Sequence, residues 1–302
     1  MRWRMSKSRN GNREKQVRNG SLSDRGWEES GVDVDIEQDL ERKAQRLLQN
    51  IEELGGGGLL VAYSGGVDSS LLAAAALRAG VERVELAVCY TLLHREADRD
   101  AAETGSRELG LPLHRLAVDL TALPAVMENH RDRCYHCKRV LFRRMWETAQ
   151  QRALGALAEG ANAEDVTAYR PGLQAGAEWG VARPLAAAGL TKKDVRTLAR
   201  IWGLSCWNRP SSPCLASRFP YDTPLTRPAL ERVAAGESLL AQAGLVDVRL
   251  RCHGDLARIE CRPEQAPFLL AQSKTLVPAL KGLGFSYITY DLEGFRSGSF
   301  DR

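Results

Sequence analysis

Leu59-Leu60-Val61-Ala62-Tyr63-Ser64-Gly65-Gly66-Val67-Asp68-Ser69-Ser70-Leu71-Leu72 is the stretch on which the fold turns. Its first half is a short apolar run that reads as a buried strand, and the alanine- and leucine-rich segment after it reads as a helix ending at Gly80. Between them, two consecutive glycines let the backbone approach a ligand closely. The N-terminus of the following helix offers unpaired N–H groups and the positive end of a dipole. Ser64, Ser69 and Ser70 add hydroxyls. The expected product is a cradle for phosphate or pyrophosphate built from Ser64, Gly65, Gly66, Asp68, Ser69 and Ser70. It is not a Walker loop, because the Gly-Lys-Ser/Thr ending is missing.

The same alternation continues outward. Residues 37–53 predict a helix that Gly55–Gly58 break. Strands are predicted at 84–90, 113–119, 154–160 and 181–185, and helices at 95–109, 121–129, 137–152 and after Thr191. Strands alternating with helices imply an α/β fold, a parallel sheet covered by helices on both faces. After the proline-rich run 210–228 the pattern changes to helix 229–243, strands 246–251 and 256–261, helix 264–281 and strand 285–291. That predicts a small C-terminal α+β domain. The boundaries expected are a disordered tail over 1–36, a nucleotide-binding domain over 37–225 and the small domain over 226–302.

Composition excludes several classes. Of 302 residues, 44% are hydrophobic and 26% charged, an ordinary globular balance. No apolar run is long enough to predict a membrane span. The basic N-terminus has no apolar stretch behind it and does not read as a secretory signal. Residues 1–30 hold eight Lys/Arg against four Asp/Glu, so they carry the whole net charge of +4. The remainder is neutral and predicts no nucleic-acid partner. Seven cysteines, an odd number, argue against a disulfide framework and for a reducing cytoplasm. Cys89, Cys252 and Cys261 fall in predicted strands and read as core residues.

Three features remain chemically pointed. Cys134 and Cys137 form a C-x-x-C pair, which reads as a metal, cluster or redox pair. Cys214 lies in a proline-bounded loop near Arg218, where a cation favours the nucleophilic thiolate. Glu159, Asn162 and Asp165 follow a predicted strand, and ligands of open α/β sheets bind beyond the carboxyl ends of strands. Asn162 could equally cap a helix. Arg249 and Arg251 share one face of a predicted strand, and their guanidinium groups suit phosphate.

The Ser64–Ser69 pattern after a first strand resembles that of the PP-loop ATP pyrophosphatases. The resemblance narrows on Asp132-Arg133-Cys134-Tyr135-His136-Cys137-Lys138, on Glu159-Gly160-Ala161-Asn162-Ala163-Glu164-Asp165, on Tyr169-Arg170-Pro171-Gly172, on Arg183-Pro184-Leu185, on Pro210 through Tyr221, and on Val248-Arg249-Leu250-Arg251. Taken in order over about residues 38–293, these look like the LarE family of ATP-dependent sulfur transferases. The resemblance implies that ATP is split to AMP and pyrophosphate. A carboxylate of a pyridinium dicarboxylate mononucleotide is adenylated and then becomes a thiocarboxylate, for the nickel-pincer nucleotide cofactor of lactate racemase. It implies Mg²⁺ at Asp68, the substrate phosphate around Arg249 and Arg251 with Glu237, and a homo-oligomer. Cys214 matches the cysteine that family members sacrifice, yielding its own sulfur and leaving dehydroalanine. Other members use three cysteines, here Cys134, Cys137 and Cys214, to hold a [4Fe–4S] cluster with one open iron. Zinc at the pair stays open too, as do an amidating ligase like the NAD and GMP synthetases and a tRNA-thiolating enzyme.

Overall fold

A computed structural model describes residues 34–167 and 170–296. The expected tail therefore falls outside the described residues up to position 33. Helix α1 (Val34–Leu54) begins three residues before the predicted start. Four further pieces follow in strict alternation: β1 (Leu59–Ala62), α2 (Val67–Arg78), β2 (Val84–Tyr90) and α3 (Glu96–Leu109). Then come β3 (Leu113–Ala117), the single turn α4 (Pro124–Met127), α5 (Arg133–Gln151) and β4 (Ala156–Glu159). Four helices, α6 (Ala163–Thr167), α7 (Pro171–Glu178), α8 (Pro184–Ala187) and α9 (Lys192–Ile201), close this part.

The four strands form one parallel sheet in the order β3-β2-β1-β4. Helices cover both faces, which is why β1 and β2 are apolar almost throughout. On one face, Leu40, Ala44, Leu47 and Ile51 of α1 pack with α2 and with Val195, Leu198 and Ala199 of α9. On the other, Phe142, Met145 and Ala149 of α5 pack against Leu60, Ala87 and Leu157. The chain steps from β1 through β2 to β3 on one side, then returns to place β4 on the other side of β1. The strand order thus reverses between β1 and β4, where open α/β sheets bind their ligands.

Two predicted elements came out differently. Residues 181–185 make only a single parallel bridge, Ala158 to Ala182. Pro184 has no N–H for a ladder and starts α8 instead. The helix expected over 121–129 shrinks to α4, which Pro124 begins and Asn129, at φ 60°, ends.

The C-terminal part contains α10 (Arg227–Gln242), β5 (Arg249–His253), β6 (Leu256–Glu260), α11 (Ala266–Ala271), α12 (Ser273–Gly282) and β7 (Tyr287–Tyr290). β5 and β6 form an antiparallel hairpin, and β7 joins β6 in parallel after the two-helix crossover. The single helix expected over 264–281 is split at Gln272. Pro278 cannot donate to the carbonyl four residues back, so the first turn of α12 is weakened. The core of this part does not stop at the predicted boundary. Leu93 and Leu120, from loops above the parallel sheet, and Val126 of α4 pack with Leu215, Phe219, Val233, Leu250 and Leu280. The loops above the sheet and the small sheet therefore share one apolar seam, and the chemically pointed residues lie around it. Among the described residues no helix is long and apolar enough to cross a membrane.

Candidate functional site

The phosphate loop forms as its residues dictate. Gly65 sits at φ 70°, where a Cβ would meet the Ala101 carbonyl carbon at 2.5 Å. Gly66 precedes the first turn of α2 in extended conformation and offers no side-chain cap. The Ser64 and Ser69 hydroxyls share a hydrogen bond of 3.2 Å, and Ser64 N donates to Ser69 Oγ at 3.2 Å. Tyr63 and Ser70 are tied below at 3.1 Å. A Cβ at Gly160, just past β4, would lie 2.8 Å from Ser69 N, so β4 and the loop are in backbone contact.

That contact brings the residues after β4 to Asp68. Asn162 is buried, and its Nδ2 donates to Asp68 Oδ1 at 3.3 Å. Its Oδ1 also accepts from Glu164 N at 3.0 Å, the capping contact that the sequence allowed. Asp165 accepts from Asn162 N at 3.1 Å and pairs with Arg170 at 2.9 Å. Buried Glu159 is neutralised by Lys138 at 2.6 Å and Arg183 at 2.9 Å. Asp68 itself carries an ion pair with Lys192, the first residue of α9. Among the described residues no three His, Cys, Asp or Glu side chains converge as a ready metal site. One accessible carboxylate nonetheless fits Mg²⁺, which keeps several waters and takes one or two carboxylates plus phosphate oxygens.

Two of the three pointed cysteines, Cys137 and Cys214, border the apolar seam. Cys134 and Cys137 lie one turn apart on α5, and Cys214 precedes the short turn Leu215–Arg218. Cys134 is exposed, while Cys137 and Cys214 are half-buried. Burial first, then the neighbouring Cys214 and Cys134, push the Cys137 thiol far above its ordinary value. His136, the histidine beside the pair, turns to Asp132 at 3.1 Å. Cys206 sits on a separate turn near Tyr63. Cys89, Cys252 and Cys261 are buried, and burial raises the Cys89 thiol to about 12.

Beside them lies a cluster of arginines. Arg218 is fully buried and makes a two-pronged pair with Glu237, Nε to Oε1 at 2.8 Å and Nη2 to Oε2 at 3.0 Å. Its Nη1 donates to the Pro213 carbonyl at 2.8 Å, which pins the Cys214 loop. Glu237 also meets Arg95 at 3.1 Å and accepts from Leu250 N at 3.1 Å. Arg251 pairs with buried Glu260 at 2.7 Å and donates to Ser217 O at 2.6 Å. Arg249 differs. It donates to two carbonyls, Val248 O at 2.9 Å and Ser211 O at 2.6 Å, and among the described residues it has no acidic partner. Burial, with Arg218 nearby, lowers its pKa to about 10. It lines a cavity of about 170 Å³ together with Arg95, Arg209, Ser211, Ser212 and Glu237. The acids lining the same cavity, Glu237 and Asp247, are already paired with Arg218, Arg95 and Arg262, which leaves Arg249 as the buried cation there suited to an anion. The shared face predicted for Arg249 and Arg251 holds, but Arg251 is already neutralised and Arg249 is not.

Two further residues stand in the site that the sequence reading passed over: Lys192 on Asp68, and Arg133, buried beside Cys134 and Cys214. Tyr169, part of one quoted stretch, lies outside the described residues.

Comparison with known proteins finds three informative relatives. The chain is 37% identical to an uncharacterized protein of Synechocystis over 267 residues, 87% of this chain and 98% of the relative. It is 36% identical to the pyridinium-3,5-bisthiocarboxylic acid mononucleotide synthase of Lactiplantibacillus plantarum over 239 residues, 79% of this chain and 87% of that enzyme. It is 25% identical to an uncharacterized protein of Methanocaldococcus jannaschii, over 79% of this chain and 91% of the relative. No family model matches the chain.

Proposed function

The chain belongs to the LarE-type sulfur transferase family, and from that premise we propose that it uses ATP to activate a ring carboxylate of a pyridinium dicarboxylate mononucleotide and replaces the activated oxygen with sulfur. The phosphate loop, with Asp68 and Asn162, would bind Mg²⁺ and ATP at the reversal of strand order. A carboxylate oxygen of the acceptor attacks the α-phosphorus and pyrophosphate leaves. The resulting acyl-adenylate is then attacked by sulfur at Cys214, and AMP departs with the original oxygen.

The observation that carries this reading is Arg249, a buried cation without an acidic partner, held to Ser211 on the loop that also bears Cys214. An amidating ligase needs neither the thiol nor this adjacency. The neighbourhood of Cys134, Cys137 and Cys214 supports a [4Fe–4S] cluster held by the three thiolates, which when bound would supply one iron able to carry sulfide. A second reading is supported by the lack of three convergent ligands among the described residues. In it the Cys214 thiolate forms a thioester, and loss of its Cα proton breaks the Cβ–S bond, giving thiocarboxylate and dehydroalanine. The test is to incubate anaerobic protein with Mg·ATP and the dicarboxylate mononucleotide, following pyrophosphate and the acceptor's mass. Exchange of oxygen for sulfur in the acceptor supports the proposal. Release of pyrophosphate with an amide product from ammonium would replace it with the ligase reading.

A further inference from the structure

Arg209 is a cation that the chemistry above does not use. It lines the same cavity of about 170 Å³ as Arg249. Its Nη2 donates to the Ala97 carbonyl at 3.1 Å, and among the described residues it has no acidic partner. Its backbone is held firmly. Pro210 follows it and keeps it out of the helical region, and it sits in extended conformation at φ −63°, ψ 131°. From α9, Arg196 Nη2 donates to Arg209 O at 2.8 Å and Arg196 Nη1 to Trp207 O at 2.9 Å. Two residues further on, Arg249 Nη2 holds Ser211 O at 2.6 Å. The segment that runs from α9 to the Cys214 loop is thus fixed at both ends of this stretch, and it places one guanidinium at the wall of a cavity that already has another.

The charges around this cavity do not balance. Glu237 is shared by Arg218 at 2.8 Å and Arg95 at 3.1 Å. Arg95 also pairs with Asp98 at 2.9 Å, and Asp247 pairs with Arg262. With Arg209 and Arg249 added, five guanidinium groups stand against three carboxylates. The surplus is two positive charges, and the two arginines that hold no carboxylate are Arg209 and Arg249. Two negative charges are what a phosphate monoester carries above its second pKa of about 6, whereas a phosphodiester carries one. Arg249 alone would match a diester. The pair matches a monoester, and the guanidinium fork suits phosphate oxygens.

We propose that Arg209 is a specificity residue of the acceptor site, which with Arg249 grips a terminal phosphate monoester and so selects a mononucleotide over a nucleoside or a phosphodiester. This rests on the acceptor class given under Proposed function. Three probes share one base and differ only at the phosphate: nicotinic acid riboside, nicotinic acid mononucleotide, and the methyl ester of the mononucleotide's phosphate. Binding of each, and of ATP, is measured by calorimetry on the full chain at neutral pH. The wild-type protein should bind the mononucleotide about ten-fold or more tighter than its methyl ester, the scale of a charge-assisted contact. Arg209→Met should erase that preference by weakening the mononucleotide, with the riboside and ATP unchanged. Arg209→Lys, which keeps the charge and loses the fork, should fall between. An undiminished preference in Arg209→Met overturns the assignment. So does equal weakening of riboside and mononucleotide, which marks a structural role. If the wild-type protein binds all three probes alike, the assignment falls while the acceptor class stands. If it binds ATP but none of the three, the acceptor class falls, and inorganic phosphate decides Arg209 alone. Phosphate should raise the melting temperature of the wild-type protein and much less that of Arg209→Met, and an equal rise in both overturns the assignment.

Discussion

Lys192 and Asp68, 124 residues apart in sequence, form an ion pair across the mouth of the phosphate loop. The loop's one accessible carboxylate is therefore already matched by a cation before any nucleotide arrives. On the proposed reading, Mg²⁺ at Asp68 would displace that ammonium toward the phosphates. Asp68→Asn should abolish Mg²⁺-dependent pyrophosphate release. Lys192→Met should raise the Kd for ATP about ten-fold or more, the scale of a charge-assisted contact. Melting temperatures should hardly move, because partly exposed pairs contribute only about 0.2–1 kcal/mol. Pyrophosphate release that survives intact in a folded Asp68→Asn protein would remove this carboxylate from metal binding.

Arg249 should weaken the ligand-free fold at neutral pH and strengthen the liganded one. Its folded pKa of about 10 lies below its ordinary 12.5, chiefly through burial. The charged form is thus penalised in the native state. The penalty is fully present below pH 10 and is relieved as pH rises through the folded value. An anion in the cavity offsets it. Inorganic phosphate should raise the melting temperature of the wild-type protein and much less that of Arg249→Met. The ligand-free variant should melt no lower than wild type, since an apolar replacement of a buried charge is often neutral or stabilising. A phosphate response that persists in Arg249→Met would place the anion elsewhere.

Glu237 behaves in the opposite sense. Burial alone would raise its carboxyl, but Arg218, Arg95 and Arg249 hold it below the ordinary 4.5. A depressed carboxylate contributes stability that is present above the unfolded pKa and is lost as pH falls through the folded one. Glu237→Gln should cost about 3–5 kcal/mol at pH 7, the range for breaking a buried pair by removing one partner. The loss should shrink below pH 4.5, where the wild-type carboxylate also begins to protonate. Urea midpoints for both proteins across pH 3–7 give the comparison, and parallel curves would contradict it.

Helix α1 is a structural necessity of one face of the parallel sheet. Leu47 and Ile51 are fully buried against α2 and α9. Leu47→Ala should cost about 2–5 kcal/mol, read as a fall in urea midpoint. A cost near zero would mean that the helix is only draped on the sheet.

What could be read from sequence follows the range of the interactions concerned. The phosphate loop was legible because its determinants are consecutive: Gly65 needs its positive φ, and α2 starts where Val67 enters the core. The Thr191 cap was equally local, with Asp194 completing the box. Asn162 was left between two roles because its partners are both near, at Glu164, and far, at Asp68. Lys192 read as ordinary charge in a first helical turn, and only the packing of α9 against α2 carries it to the loop. Arg133 was hidden inside a stretch quoted for its cysteines. Its burial depends on Tyr221, from the far side of the chain. The strand expected at 181–185 failed for a local reason that the sequence did contain, Pro184.

Cys214 is the centre at which the two sulfur chemistries diverge. Its loop is pinned by Arg218 to Glu237, so replacing the thiol should leave the loop and the ATP site standing. Cys214→Ala should therefore stop sulfur delivery while acceptor-dependent pyrophosphate release continues. If the three thiolates hold a cluster, Cys134→Ala and Cys137→Ala should each remove both the brown colour of anaerobically reconstituted protein and repeated turnover, because three thiolates are needed to leave one iron open. If Cys214 gives up its own sulfur, those two variants should still turn over once, and the intact mass of the wild-type protein should fall by that of hydrogen sulfide. A Cys214→Ala protein that still delivers sulfur at the wild-type rate would defeat both chemistries, since one takes its sulfur from this side chain and the other needs it as a cluster ligand.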